Sequence, residues 1–365
     1  MTKAKLLKIL SYSVLAISIF VAICTIISAY AGYINPYSFK IAPLLCMSFP
    51  YWIIASLIMI VISFFARKIY ALIPSISLLL CISPILHICP LNLFSFEDED
   101  DFTFTLLSYN AYNFIAFNNE NPSNNTNATL NYIAETDADI VCLQECEYLS
   151  HLPSRHVYEE QVAEIKKQYP HHIIGVESGQ SILSKYPVEE VYVNEYFSHF
   201  IVEMPNGRNI DIINVHLKSI PLTAKDKRRY NDALSSNENK DNSVDYSSLR
   251  NIMSKVANAA KQRAHQAHDI QAYISTIGNE NIIVCGDFND VPGCYAINTI
   301  TDDDFDDAYA ECGFGPMTTY HGNNINVRID HIFYKGDLEA TSFDRGDVKC
   351  SDHYPLLVTF QMEND

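Results

Sequence analysis

The chain has 365 residues with 25 basic and 43 acidic side chains, a formal net charge of −18, and all of its acidic residues lie beyond residue 96. Residues 97–365 therefore hold 19 basic residues against 43 acidic ones, a net of −24, and such a surface argues against tight nonspecific binding of nucleic acid. Ten cysteines without a C-x-x-C pair exclude a zinc-ribbon site and a small disulfide scaffold. Most of them read as small buried apolar groups, although those of the second part could pair in an oxidising compartment.

In chain order, the first element is an apolar region. Three runs, roughly Ile9 to Ala31, Ala42 to Ala66 and Ile69 to Leu91, each reach the ~20 residues that a helix needs to cross a bilayer. The only His, Lys, Arg, Asp or Glu inside them is His87. A cleaved signal peptide has one apolar core of ~7–15 residues, and a soluble helix usually keeps a polar face. The runs are read instead as a three-pass anchor, residues 1–96, embedded in a lipid bilayer through residues 9–91. Lys3, Lys5 and Lys8 precede the first run and Arg67 with Lys68 join the second to the third, while the intervening loop offers only Lys40. Positive loops stay cytoplasmic. The expected placement is a multi-pass protein of the inner (cell) membrane, amino terminus inside, with everything after Leu91 periplasmic or extracellular. The acidic "EDEDD" at Glu97 to Asp101 marks the exit.

From Phe102 onward, short β-type runs alternate with polar helices and Asn-rich loops. Strands are expected at "FTFTLLSYN", "ADIVCLQE", "GQSILSKYP", "VYVNEYF", "NIDIINVHL", "NIIVCGDFN", "RIDHIFY" and "YPLLVTF". Helices are expected over about Thr129 to Thr136, Tyr158 to Tyr169 and Ser247 to Ile277, the last on the spacing of Leu249, Ile252, Val256 and Ala260. This pattern predicts an α/β fold for residues 97–365, a four-layer α-β-β-α sandwich of two packed mixed sheets. "FNNENPSNNTNA" and "AKDKRRYNDALSSNENKDNSVD" read as polar loops, and Asn124 and Asn127 begin N-x-T sequons that matter only in a eukaryotic secretory pathway.

The strand ends carry the chemistry. Asn110, Glu145, His216, Asp287 with Asn289, and Asp352 with His353 each close a strand-like segment, and Asp330 in "RIDH" adds a sixth place. Hard divalent cations take oxygen ligands and often share a substrate phosphate. Taken singly, each residue has a plainer reading: Asn110 a turn residue, Glu145 a solvated terminus, His216 a core histidine, Asp330 a salt-bridge partner of Arg328, and "GDFND" a turn. Gly286 and Pro292 bracket a tight turn with Asp290 as its stabiliser. Six such coincidences in one chain favour a common site.

The segments "LSYN", "LQE", "GQSILSKYP", "NVHL", "CGDFND", "RIDHIFY" and "SDHYP", in this order, resemble the endonuclease/exonuclease/phosphatase superfamily over about residues 102 to 361. That group includes deoxyribonuclease I, exonuclease III-like apurinic endonucleases, neutral sphingomyelinases and inositol polyphosphate 5-phosphatases; the anchored arrangement is similar to a bacterial branch of it. The resemblance implies Mg²⁺-assisted hydrolysis of a phosphoester, with Mn²⁺ as the alternative ion. Glu145 would be the main metal ligand, Asn110 beside it a ligand or its support, and Asp352 a support on the metal side. Asp287 would deprotonate the attacking water and Asn289 would hold a phosphate oxygen. His216 and His353 would donate to the charge developing on phosphorus, with Asp330 fixing the tautomer of His353. Apurinic-type nucleases carry an acidic ligand two residues after the first Asn, where this chain has Tyr112, so the likeness leans toward the deoxyribonuclease, sphingomyelinase and phosphatase branches.

His265 and His268, three apart on the long helix, could suggest a metal site but more simply form a solvated face. "KDKRR" at Lys225 to Arg229 reads as a solvated charge run, or as a contact to a phosphate or lipid headgroup. Three functions stay open: a phosphodiesterase or phosphatase acting on a lipid headgroup or small phosphoester, a nuclease acting on DNA or RNA, and a non-catalytic anchored binding module.

Overall fold

The computed structural model describes residues 3–92, 102–115, 126–150, 158–175, 178–223, 226, 246–302, 304–322 and 325–362. The acidic exit segment, Asn124 and most of both polar loops lie outside the described residues. Of the "KDKRR" cluster only Asp226 is described, paired with Lys255 Nζ at 2.6 Å.

The apolar runs are helical, with two departures from three plain spans. Among the described residues, Lys3–Tyr30 and Phe49–Ala66 are the two helices long and apolar enough to cross a membrane. The second run breaks at Ser48, so that Ala42–Met47 forms a separate short helix ahead of Pro50. The third run is a bent pair, Lys68–Leu80 and Ile82–Ile88, that turns by 66°. Pro84 explains the bend: it has no N–H for the carbonyl of Leu80, four residues back, and its ring crowds that carbonyl. Tyr30 Oη donates to the freed Leu80 carbonyl at 2.6 Å. The two long helices meet through small polar residues, Ser18 Oγ with Ser63 Oγ at 3.0 Å and Thr25 Oγ1 with Ser56 Oγ at 2.8 Å, which permits close approach.

Among the described residues, twelve strands build two six-stranded sheets. The first contains β1 (Phe102–Asn110), β2 (Ile140–Gln144), β3 (His171–Ile174), β4 (Ser181–Ser184), β11 (Leu338–Arg345) and β12 (Leu356–Met362), in the order β11-β12-β1-β2-β4-β3. The second contains β5 (Val188–Val193), β6 (Phe197–Glu203), β7 (Asn209–His216), β8 (Ile282–Asp287), β9 (Asp306–Asp307) and β10 (Asp330–Lys335), in the order β5-β6-β7-β8-β10-β9. Each sheet is mixed, with one parallel pair at its centre: β1 with β2 and β7 with β8.

Alternation along the strands sorts the core into layers. Phe104, Leu106, Ile140 and Cys142 of the first sheet pack between the sheets against Phe200, Ile212, Ile283 and Cys285 of the second. The other face of β1 and β2, with Leu107, Tyr109, Val141 and Leu143, packs under helices Ala128–Thr136 and Glu159–Gln168. Ile213, Val215 and Val284 do the same under the 29-residue helix Tyr246–Ile274 and the short helix Tyr295–Thr301. The architecture is the four-layer sandwich that the sequence predicts. Full burial of each such aliphatic side chain contributes roughly 1.5–3 kcal/mol.

Gly286 lets the central strands approach. A Cβ there would lie 2.1 Å from the carbonyl oxygen of Val215 on β7, and its φ is +132°. Any other residue would push β7 and β8 apart beside Asp287.

Candidate active site

The two central parallel pairs end at the same place. In register, Asn110 faces Gln144 across β1 and β2, and His216 faces Asp287 across β7 and β8. Face-to-face packing of the sheets then brings Asn110 Nδ2 within 3.1 Å of Asp287 Oδ2 and 3.3 Å of Glu145 Oε1. Below this contact, Gln144 Nε2 donates to Asn214 Oδ1 at 2.8 Å, and Asn214 Nδ2 donates to the carbonyls of Leu143 and Ser181. This buried amide bridge joins the sheets and was not read from sequence.

Asp287 is the centre of the cluster. Its Oδ1 accepts from the backbone N–H of Asn289 at 2.8 Å and its Oδ2 from Asn289 Nδ2 at 3.1 Å. His216 Nε2 lies 3.8 Å away and His353 Nε2 3.7 Å. Burial pushes the Asp287 carboxyl up to about 6; His353 opposes that rise, Asp330 adds to it, and His216 opposes it. At neutral pH the group is an ionised carboxylate poised to take a proton.

His353 is held between two carboxylates. Both oxygens of Asp330 lie within 3.0 Å of His353 Nδ1, which leaves Nε2 facing Asp287. Burial disfavours protonation of this ring, but the charges of Asp330 and Asp287 outweigh it and hold the imidazole up at about 10. Arg328, the alternative partner for Asp330, instead pairs with Asp307. Supporting groups missed in the sequence appear here. Thr319 Oγ1 accepts from the backbone N–H groups of Ile329 and Asp330. Ser351 Oγ accepts from the N–H of His353 and donates to the carbonyl of Asn110. No spacing rule marks a lone Ser or Thr for such work.

Glu145 and Asp352 form the acidic side. Glu145 sits at φ +48° in the left-handed region, where a non-glycine residue is strained, and its Oε1 is 3.6 Å from His216 Nε2. Burial raises the Asp352 carboxyl; His353 opposes this and the charge of Glu145 adds to it. Tyr112 stands near both, its phenol raised by burial and then by Asp352 and Glu145. The ligand atoms of Asp287, Asp330 and His353 lie within 4.8 Å of one another, yet both Asp330 oxygens are taken by His353. Glu145 and Asp352 add further carboxylate oxygens of the kind a hard cation takes, with Asn110 alongside. Asn110 turns Nδ2 toward the carboxylates, while its Oδ1 accepts from the N–H of Tyr112 at 3.2 Å, so in this arrangement it orients the acids.

All eight residues expected from sequence meet at this edge. Of the His265 and His268 pair, His265 Nδ1 pairs with Asp269 at 2.9 Å and His268 Nε2 contacts Tyr295 Oη at 3.1 Å. Asp290 does more than stabilise its turn. Its Oδ1 accepts from the N–H of Val291 at 3.3 Å, but its Oδ2 takes the Nε of the fully buried Arg263 at 3.0 Å.

Behind Asp290 lies a histidine with a different character. His331 is fully buried, ringed by Phe288 and Phe333, and its Nε2 contacts the carbonyl of Asp290 at 3.0 Å. Burial and then Arg328 depress it from 6.5 to about 3. Above pH 6.5 the ring is neutral in both folded and unfolded chains; below that the unfolded chain gains a proton that the folded one refuses. Stability should therefore fall with a slope of up to about 1.4 kcal/mol per pH unit as pH drops from 6.5 toward 3. His331→Phe is expected to flatten that slope in denaturant titrations from pH 7 to 4, while losing about 1 kcal/mol at pH 7 through the unpaired Asp290 carbonyl. An unchanged acid slope would remove His331 from this role.

Comparison with known proteins gives the family. The family model "Endonuclease/Exonuclease/phosphatase family" matches residues 107–353, and a model described as "Domain of unknown function (DUF8431)" matches residues 8–88. A search of curated proteins finds no match. Among solved structures, an endonuclease/exonuclease/phosphatase family protein from Bacteroides thetaiotaomicron is 16% identical, covers 72% of this chain and 99% of its own, and has a TM-score of 0.44. Sphingomyelinase C from Streptomyces griseocarneus is 14% identical, with 72% and 99% covered and a TM-score of 0.42. ANGEL2, a 2',3'-cyclic phosphatase solved with adenosine-2',3'-vanadate, is 17% identical, with 73% and 98% covered and a TM-score of 0.44. With its model matched across most of the chain, this protein belongs to the endonuclease/exonuclease/phosphatase family, whose members are metal-dependent phosphoester hydrolases.

Proposed function

We propose that the protein is a membrane-anchored, Mg²⁺-dependent phosphodiesterase or phosphatase, with a catalytic domain in residues 97–365 standing on the outer face of the cell membrane and an anchor in residues 1–96. The observation that carries this reading is Asp287, a buried carboxylate held by two amides and facing two histidines, beside the oxygen donors of Glu145 and Asp352. A Mg²⁺ ion held by Glu145, with Asp352 and Asn110 beside it, would supply positive charge to the phosphoryl and leaving oxygens. Asp287 takes a proton from the attacking water, and the amides of Asn110 and Asn289 fix its orientation. Asn289 also offers its Nδ2 to a phosphate oxygen. His353, protonated at neutral pH, donates from Nε2 to the charge that builds on phosphorus, and His216 donates from the opposite strand pair.

The outward placement is supported by where the catalytic domain sits on the helices. It contacts the end of the first helix at Gly32, the short helix at Cys46 and the end of the bent pair at His87 and Pro90. Arg67 and Lys68 belong to the opposite turn between the second and third apolar runs, and basic turns stay cytoplasmic. The net charge of −24 over residues 97–365 favours a lipid headgroup or small phosphoester over a polynucleotide. A DNA or RNA nuclease is the second reading, since the family includes nucleases.

The test uses the full chain in detergent with Mg²⁺, offered phospholipid vesicles, small phosphomonoesters and phosphodiesters, plasmid DNA and RNA. Hydrolysis of a non-nucleic phosphoester is expected, abolished by EDTA and reduced roughly a hundredfold or more by Glu145→Gln. Plasmid nicking that disappears in Asp287→Ala would instead establish the nuclease, and inertness toward every substrate would leave the non-catalytic module.

A further inference from the structure

The loop that leaves the catalytic strand β8 runs directly onto the membrane helices. After Asp287 and Asn289 it passes through Gly293, against which Gly32 packs so closely that a Cβ on Gly32 would lie 1.6 Å from the Gly293 carbonyl oxygen. Ala31, Cys46 and Cys294 form one buried cluster there, flanked by Leu45, Met47 and Val291. Asn35 Nδ2 donates to Tyr295 Oη at 3.1 Å, one residue beyond Cys294. Between these two anchoring contacts the thiols of Cys46 and Cys294, 248 positions apart in sequence, lie 3.1 Å from each other.

We propose that Cys46 and Cys294 form a disulfide that joins the membrane anchor covalently to the active-site loop. The proposal rests on the outward placement of the catalytic domain, because disulfides form and persist outside the cytoplasm. The sulfurs need to approach by only about 1 Å to reach the ~2.05 Å of a disulfide, and the contacts of Gly32 with Gly293 and of Asn35 with Tyr295 hold the Cys294 segment against the anchor. Both thiols are buried once the domain has docked, so the bond forms as the chain docks. The oxidant is a protein disulfide of the thiol-oxidase class. The thiolate of one cysteine attacks an oxidant sulfur, and the other oxidant sulfur leaves as a thiolate. The second cysteine then attacks the mixed disulfide, and the oxidant departs reduced by two electrons with the two protons carried as thiols. Burial accounts for persistence: no external thiol reaches the bond in the docked protein.

The test places a protease site between residues 93 and 101 of the full chain in its native membrane, so that Cys46 and Cys294 fall on different fragments while Cys142 and Cys285 stay together. The expected result is that the cut fragments migrate as one species without reductant and as two with it. Cys46→Ala and Cys294→Ala should each release the fragments, whereas Cys89→Ala and Cys142→Ala should not. A variant that fails to accumulate does not block the experiment, because the unreduced wild-type digest should contain a Cys46–Cys294 cross-linked peptide lighter by two hydrogens than its separate halves. Fragments that part without reductant, or two free thiols in that digest, overturn the pairing. Protease shaving of intact spheroplasts separately reports the side on which the domain lies, so loss of the pairing is distinguished from loss of the outward placement.

Discussion

Asp287→Asn is expected to lower the rate of phosphoester hydrolysis by roughly two to four orders of magnitude, the scale for losing a positioned general base. The substitution keeps the shape of the side chain but removes the group that takes the proton from water. It also sets an amide NH₂ against donors that now face carboxylate oxygens, the Nδ2 groups of Asn110 and Asn289 and the N–H of Asn289. The loss should appear in kcat more than in KM, because a proton acceptor acts in the transition state. His353→Ala should cost a similar factor, and the double variant should fall well short of the product of the two, since both groups serve one step. Stability should move the other way. Burial raises the carboxyl to about 6 from 3.8, so at pH 7 the carboxylate, though ionised, carries its charge less favourably in the folded metal-free protein than in the unfolded chain. Asp287→Asn should melt no lower than the parent in EDTA, and a large drop in melting temperature would mean that the lost activity reports unfolding.

Arg263→Met has the second large expected effect, and it acts at a distance from the chemistry. Arg263 lies on the helix Tyr246–Ile274 and is almost fully buried. Its Nε donates to Asp290 and its Nη1 to the carbonyl of Lys218, both at 3.0 Å. One guanidinium thus pins the chain two residues after His216 and three residues after Asp287. Removing it strands the Asp290 carboxylate in the interior, which typically costs about 3–5 kcal/mol. Denaturant unfolding should show that loss, and kcat should fall with it as the two strand ends drift. Pairing Arg263→Met with Asp290→Leu should recover much of the stability, because no buried charge is then left alone. It should not recover kcat if the guanidinium positions these loops. Full recovery of both would reduce Arg263 to a packing residue.

The catalytic strand ends were legible because the fold writes them as a local pattern. A run such as "NIIVCGDFN" is apolar because β8 is buried on both faces, and its polar end is where the layers stop. Other strands were less visible. β3 is four residues long, β9 only two, and β11 alternates buried and exposed positions with Glu339 and Asp344 on its exposed side; all three lie at sheet edges, where apolar pressure is weakest. β6 was hidden because Ser198 and His199 interrupt its apolar run, although both are buried in the sheet. The supports of the site were illegible for a different reason. Gln144 with Asn214, Arg263 with Asp290, and Ser351 with Asn110 are pairs made by folding, between positions 27 to 241 residues apart. The bend in the third apolar run could have been read from Pro84, whose missing donor is a sequence fact.

The paired parallel strands carry a consequence for how activity and folding are coupled. Asn110 and Glu145 come from one sheet and His216 and Asp287 from the other, and the amide bridge of Gln144 and Asn214 closes the seam between them. Neither half of the sandwich contains a complete catalytic set. The site is thus assembled only when the two halves close on each other. A chain whose sheets have formed but not locked together would carry every catalytic residue in its proper strand and remain inert.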